Sequence, residues 1–243
     1  MKYFLISIIL VSFMSEAYSQ NKSIRHKPFK LEKEVKLTVK LQYLLYLPSD
    51  YEASEKKYPL VLFLHGSGER GTDIELVKRN GPPKLVEEGK EFPFLLLTPQ
   101  CPEGTRWNYQ TQSLIALLDE IESKYRIDKN KIYVTGLSMG GQGTWTLALT
   151  QPNRFAAIAP VCGWTDSWEV CKISHLPVWV FHGAKDNVVP VTESEQMVNA
   201  LKQCSANEVK LTIYPNANHD AWTETYNNPE LYNWLLSHSL NDN

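Results

Sequence analysis

The chain has no excess of basic residues: 25 Lys and Arg stand against 27 Asp and Glu, a formal net charge of −2. Binding to phosphate backbones or anionic lipid depends on a concentrated positive field. Nucleic acid is therefore not an expected partner. Long apolar runs are equally scarce. Apart from the stretch Tyr3 to Met14, nothing approaches the ~20 residues needed to span hydrocarbon, so stable membrane insertion is not expected either. There are only four cysteines, and the spacings of Cys101, Cys162, Cys171 and Cys204 match no zinc motif, so no metal site is expected. No internal repeat, low-complexity block or Pro/Gly-rich linker divides the chain, which argues for one domain. What remains is an ordinary globular composition, 43% hydrophobic in 243 residues, enough to bury the core of one α/β domain.

The amino terminus reads as an export signal. Lys2 precedes the apolar run Tyr3 to Met14, and Ala17-Tyr18-Ser19 supplies the small residues that a signal peptidase requires. The expected division is a signal peptide over 1–19 and a catalytic domain over 20–243, with the mature protein secreted or periplasmic. Export gives the cysteines an oxidising compartment, and four cysteines permit three connectivities. Cys162 and Cys171 lie closest in sequence across a turn-rich loop and are the expected pair, with Cys101 and Cys204 paired or buried singly.

From Val35 to Leu47 apolar and polar residues partly alternate, the pattern of early strands with one exposed face. Leu60 to Leu64, Phe94 to Thr98, Lys131 to Thr135, Ala156 to Val161, Val178 to Phe181 and Val209 to Tyr214 are short and largely apolar, as in buried parallel strands. Between them, helical spacing predicts helices over Ser113 to Tyr125, Met139 to Thr150, Thr192 to Lys202 and Pro229 to His238. This alternation predicts an α/β fold, a mostly parallel sheet covered by helices on both faces with functional loops at the strands' carboxyl ends. Between Val161 and Val178 there is too little chain for a large lid.

Gly136-Leu137-Ser138-Met139-Gly140 follows a predicted strand and precedes a predicted helix, the context of a nucleophile elbow. A serine hydroxyl is a weak nucleophile near neutral pH and needs a base oriented by an acid. In this arrangement the order is Ser, then Asp or Glu, then His. Asp186 and His219 both follow Ser138 on loops just past strands. Asp166, which follows the strand ending at Val161, is the rival acid. His65, His175, His182 and His238 do not occupy the loop expected of the base. Two donors must face the oxyanion of an acyl-transfer reaction; the Met139 and Ser67 N–H groups are the candidates. The Ser67 loop, His65 to Gly71, lacks the G-K-[S/T] ending of a phosphate-binding loop. Trp107, Trp164 and Trp222 fall on or near the same loops, suggesting substrate-binding aromatic walls, although core packing accounts for tryptophans equally well.

The motifs L-F-L-H-G-S-G-E-R-G, T-P-Q-C-P-E-G, G-L-S-M-G-G, F-H-G-A-K-D and N-H-D-A-W-T-E-T-Y resemble those of secreted esterase-like α/β-hydrolases. That group is often labelled predicted peptidases or phospholipase/carboxylesterases and is similar to polyhydroxybutyrate depolymerases and to feruloyl and acetylxylan esterases. The resemblance implies the α/β-hydrolase fold, a triad of Ser138, Asp186 and His219, and oxyanion donors at Met139 and Ser67. It implies hydrolysis without a cofactor of a small-molecule or polymer-linked ester, of short-chain or aromatic type. The same triad also serves serine peptidases, and a binding protein on an inactive hydrolase scaffold is an alternative of another kind.

Overall fold

The computed structural model describes residues 28–242, so the expected signal segment lies outside the described residues. The chain divides after Thr38. Residues 28–38 contain neither helix nor strand and are exposed.

From Val39 onward the elements run in this order: β1 (Tyr43–Tyr46), β2 (Tyr58–Leu64), α1 (Gly81–Glu87), β3 (Leu95–Pro99), α2 (Thr111–Lys124), β4 (Ile127–Leu137), α3 (Met139–Thr150), β5 (Ala157–Val161), β6 (Val178–Gly183), α4 (Val191–Gln203), β7 (Val209–Tyr214), α5 (Trp222–Asn227) and α6 (Pro229–Leu236). The strands form one seven-stranded sheet in the order β1-β3-β2-β4-β5-β6-β7. Only β1 runs antiparallel, pairing Tyr43 with Pro99 through Tyr46 with Leu96. This is the α/β-hydrolase fold.

The period-two pattern of each strand sorts its side chains onto two cores. Leu60, Leu62, Leu64, Ile132, Val134, Val178 and Val180 join one cluster with Leu114, Leu118, Leu147 and Met197 of α2, α3 and α4. Val61, Phe63, Tyr133, Leu137 and Phe181 join the other with Leu85, Tyr226, Leu231 and Leu235 of α1, α5 and α6. Both faces are thus covered by helices, which explains why the central strands read as continuous apolar runs.

Three sequence expectations are corrected. The alternation from Val35 to Leu47 yields a strand only over Tyr43–Tyr46, because β3, its sole partner, is five residues long. β7 is not fully buried; at the sheet edge most of its residues are half-buried or exposed. The disulfide joins Cys171 to Cys204, with Cα atoms 5.3 Å apart, rather than Cys171 to Cys162. Cys171 lies on a 3-10 helix, Ser167–Ile173, that packs against α4, and Cys204 caps that helix. Cys162, although nearer in sequence, ends β5 with its sulfur turned inward, 3.4 Å from the carbonyl oxygen of His219. It and Cys101 are buried free thiols.

Candidate active site

The tight turn between β4 and α3 presents Ser138. Its backbone has φ 53° and ψ −116°, a left-handed conformation that costs a non-glycine residue energy and here brings the hydroxyl to the end of the strand. The turn closes only because its flanks lack side chains. A Cβ on Gly140 would lie 1.8 Å from the Leu64 carbonyl oxygen, and one on Gly136 would lie 2.5 Å from the Gly140 carbonyl oxygen. The Ser138 N–H donates to the Val161 carbonyl at 2.8 Å, tying the turn to β5.

The loops after β6 and β7 bring Asp186 and His219 to this serine. His219 Nε2 lies 2.9 Å from Ser138 Oγ, and His219 Nδ1 lies 2.7 Å from Asp186 Oδ2. Asp186 Oδ1 accepts the N–H groups of Val188 and Val189, both at 2.9 Å. Burial works against ionisation of Asp186, but the hydrogen bonds from His219, Val189 and Val188 outweigh it and hold the carboxyl below its ordinary range. An ionised Asp186 selects the tautomer with hydrogen on Nδ1, leaving Nε2 free to take the serine proton. The rival Asp166 is exposed and caps the 3-10 helix at Ser167, accepting from the Trp168 N–H. It has no part in this relay.

Beneath the relay lies a buried layer that the sequence motifs do not single out. His182 Nε2 sits 3.2 Å from Asp186 Oδ2 and 2.9 Å from the Val189 carbonyl, while its Nδ1 lies 2.7 Å from Ser194 Oγ. Cys162, at a φ of 49°, completes the layer. Burial, reinforced by the charge of Asp186, pushes its thiol up to about 12, so it stays protonated. The position of His182 before Gly183 at a strand end reads as structural in sequence. Its bearing on Asp186 exists only in three dimensions.

A cleft of about 330 Å³ opens above Ser138, lined by Ser67, Arg106, Ser138, Met139, Trp164, Val188, Val189, Pro190 and Glu193. Met139 opens α3 and Ser67 opens a 3-10 turn, Ser67–Glu69, so neither N–H has an acceptor within its own helix. The tryptophans separate. Trp164 lines the cleft. Trp107 is a correction: it is fully buried under the Ser67 loop and donates Nε1–H to the His65 carbonyl at 2.9 Å, so it cannot touch a substrate. Trp222 packs edge-on against His219, ring centroids 5.2 Å apart, and lines a separate cavity of about 30 Å³.

His65 anchors the loop that carries Ser67. Its Nε2 accepts the Cys101 N–H at 2.9 Å, so its Nδ1 carries the hydrogen and donates to the Gly66 carbonyl at 2.6 Å. Burial drives its pKa down to about 4. The unfolded chain therefore takes up this proton near the ordinary value of about 6.5, whereas the folded chain resists until about pH 4. Stability from this residue is full above about 6.5 and is lost as pH falls toward 4, by about 3 kcal/mol. Urea unfolding at several pH values checks this: His65→Gln should flatten the slope between those limits, and an unchanged slope would refute the assignment.

Residues 92–229 match the family described as phospholipase/carboxylesterase. A bifunctional acetylxylan esterase/xylanase of Neocallimastix patriciarum is 26% identical over 199 residues, covering 78% of this chain but 27% of that protein. A probable feruloyl esterase C of Aspergillus terreus is 24% identical over 204 residues, covering 82% of this chain and 74% of the relative. Among solved structures, a thermostable esterase is 35% identical with a TM-score of 0.71, covering 82% of this chain and 59% of its own.

Proposed function

The chain belongs to the phospholipase/carboxylesterase family, and on that premise we propose that it is an exported serine hydrolase of carboxylic esters. The observation that carries this reading is the continuous relay Ser138, His219, Asp186 opening into the cleft. Ser138 Oγ attacks the ester carbonyl as its proton passes to His219 Nε2, and the Met139 and Ser67 N–H groups hold the oxyanion. Collapse expels the alcohol, which takes the proton from His219. Water then repeats the sequence on the acyl-enzyme and frees the acid. The serine proton leaves on the alcohol and a proton from water replaces it, so Ser138 and His219 end as they began and the cycle needs no cofactor.

Short-chain or aromatic esters suit the cleft. Its volume is at the low end for small-molecule sites, and Trp164 offers one aromatic wall. The names of the acetylxylan and feruloyl esterase relatives agree with such substrates, including those carried on plant polysaccharides. Export rests on the signal-like residues 1–19 and on the Cys171–Cys204 disulfide, a bond favoured in oxidising compartments.

The deciding experiment compares kcat/KM for p-nitrophenyl acetate, a feruloyl ester, p-nitrophenyl palmitate and an unmodified peptide, alongside labelling by a fluorophosphonate. The expected result is labelling of Ser138 and turnover of the two smaller esters far above the others. Peptide turnover equal to the acetate would replace the esterase reading with a peptidase one. Absence of both labelling and turnover would leave a binding scaffold.

A further inference from the structure

Two ionisable side chains, Arg106 and Glu193, line the cleft besides the catalytic groups, and their surroundings are unequal. Glu193 lies in the first turn of α4, where unpaired N–H groups and the helix dipole offset a carboxylate. Arg106 has no comparable partner. Among the described residues its exposed guanidinium makes no side-chain hydrogen bond and no ion pair.

Among the described residues the neighbouring guanidinium, Arg70, is engaged only by neutral acceptors, the carbonyls of Ser67 at 2.9 Å and Thr105 at 3.2 Å. Glu69, the nearest acid in sequence, is buried, accepts from Asn80 at 2.8 Å and does not line the cleft. Glu103, the acid nearest Arg106 in sequence, is exposed and does not line the cleft, so Arg106 is the one cation that the described residues place on the cleft wall, and it is unpaired there. Arg106 also starts from a fixed backbone. Thr105 before it is held by Arg70, and Trp107 after it is buried and bonded to the His65 carbonyl. A guanidinium on such a loop offers a planar fork of donors that matches a carboxylate.

We propose that the cleft selects esters whose non-reacting part carries a free carboxylate, and that Arg106 is the specificity residue that pairs with it. This rests on the ester-hydrolase reading of Ser138, His219 and Asp186. The carboxylate can sit on either half of the ester, and the test separates the two.

One matched pair places the acid on the acyl half: mono-p-nitrophenyl glutarate against p-nitrophenyl pentanoate. The other places it on the leaving half: p-carboxyphenyl acetate against phenyl acetate. The quantity read is the acidic-to-neutral ratio of kcat/KM, compared between the wild type and each variant so that intrinsic leaving-group differences cancel. For one of the pairs, Arg106→Ala should lower that ratio about tenfold, as expected for loss of a charge-assisted hydrogen bond. Arg106→Glu should lower it further, and added salt should shrink the wild-type ratio. The responding pair identifies the half that carries the acid. Ratios that change by less than about twofold in both pairs, with a wild type that hydrolyses the neutral esters, would overturn the inference alone. A wild type that hydrolyses no ester and takes no fluorophosphonate would remove the ester reading, and this inference with it.

Discussion

Ser138→Ala should lower kcat for a short-chain ester by on the order of 10⁴-fold or more while leaving the protein folded, because the half-buried hydroxyl makes no packing contribution that a methyl cannot replace. His219→Ala should be comparably damaging. The double variant should be little worse than either single one, since the two residues act as one proton-transfer unit. Asp186→Asn should cost roughly 10³- to 10⁴-fold, because an amide facing Nδ1 favours the wrong tautomer of His219. Asp166→Asn, a change at an exposed helix cap, should remain near wild-type activity. The check is steady-state kinetics of all four single variants, with circular dichroism to show that each is folded. A severe Asp166→Asn and a mild Asp186→Asn together would move the acid to the loop after β5.

The second large effect belongs to a residue without a side chain. Gly140→Ala would place a methyl 1.8 Å from the Leu64 carbonyl oxygen and 2.8 Å from the His65 carbonyl oxygen. These are backbone atoms of β2 and of the loop that carries Ser67, so α3 must move away from the sheet. The expected cost is at least about 3 kcal/mol, the upper range of core overpacking. For a domain of this size that lowers Tm by roughly 6–12 °C. Ester turnover should be lost with it, since Ser138 and Met139 ride on the same turn. Gly68→Ala is the stability control, because an added Cβ there meets nothing within 4 Å. Thermal unfolding of both variants decides the matter, and a Gly140→Ala protein as stable as Gly68→Ala would show that the elbow is not closed by this contact.

The elements legible in the sequence are those whose periodicity matches their burial. α2 is the clearest case, since Leu114, Leu117, Leu118 and Ile121, which share helical spacing, are its buried residues. The bounds of α3 and β7, Met139–Thr150 and Val209–Tyr214, also fall where read, although α3 is buried nearly all round and β7 lies at the sheet edge. α1 and α5 are not legible. α1 begins Gly-Pro-Pro, and α5 is six residues long, too short for an amphipathic period to register. β4 extends back to Ile127 through Asp128, Lys129 and Asn130, whose polarity hides the strand's outer end.

The site divides along the same line. Ser138, Asp186 and His219 stand out because each needs a particular residue type at a strand end in a particular order. His182, Arg106 and Glu193 carry no such local mark: His182 reaches Asp186 only because the turn after β6 folds back on it, and Arg106 and Glu193 come to the cleft from segments far apart in sequence.

The sequence by itself determined the α/β alternation, the order of the candidate triad and the glycine-flanked serine turn, because each follows from local periodicity or local sterics. Only the tertiary structure decided which cysteines pair, which tryptophan reaches the cleft and what lies under Asp186. Cys171 meets Cys204 because a 3-10 helix packs on α4, Trp107 is buried because its indole nitrogen finds the His65 carbonyl, and His182 reaches Asp186 across the turn after β6. Such contacts depend on the direction in which each strand end delivers its side chain, and distance along the chain does not encode direction.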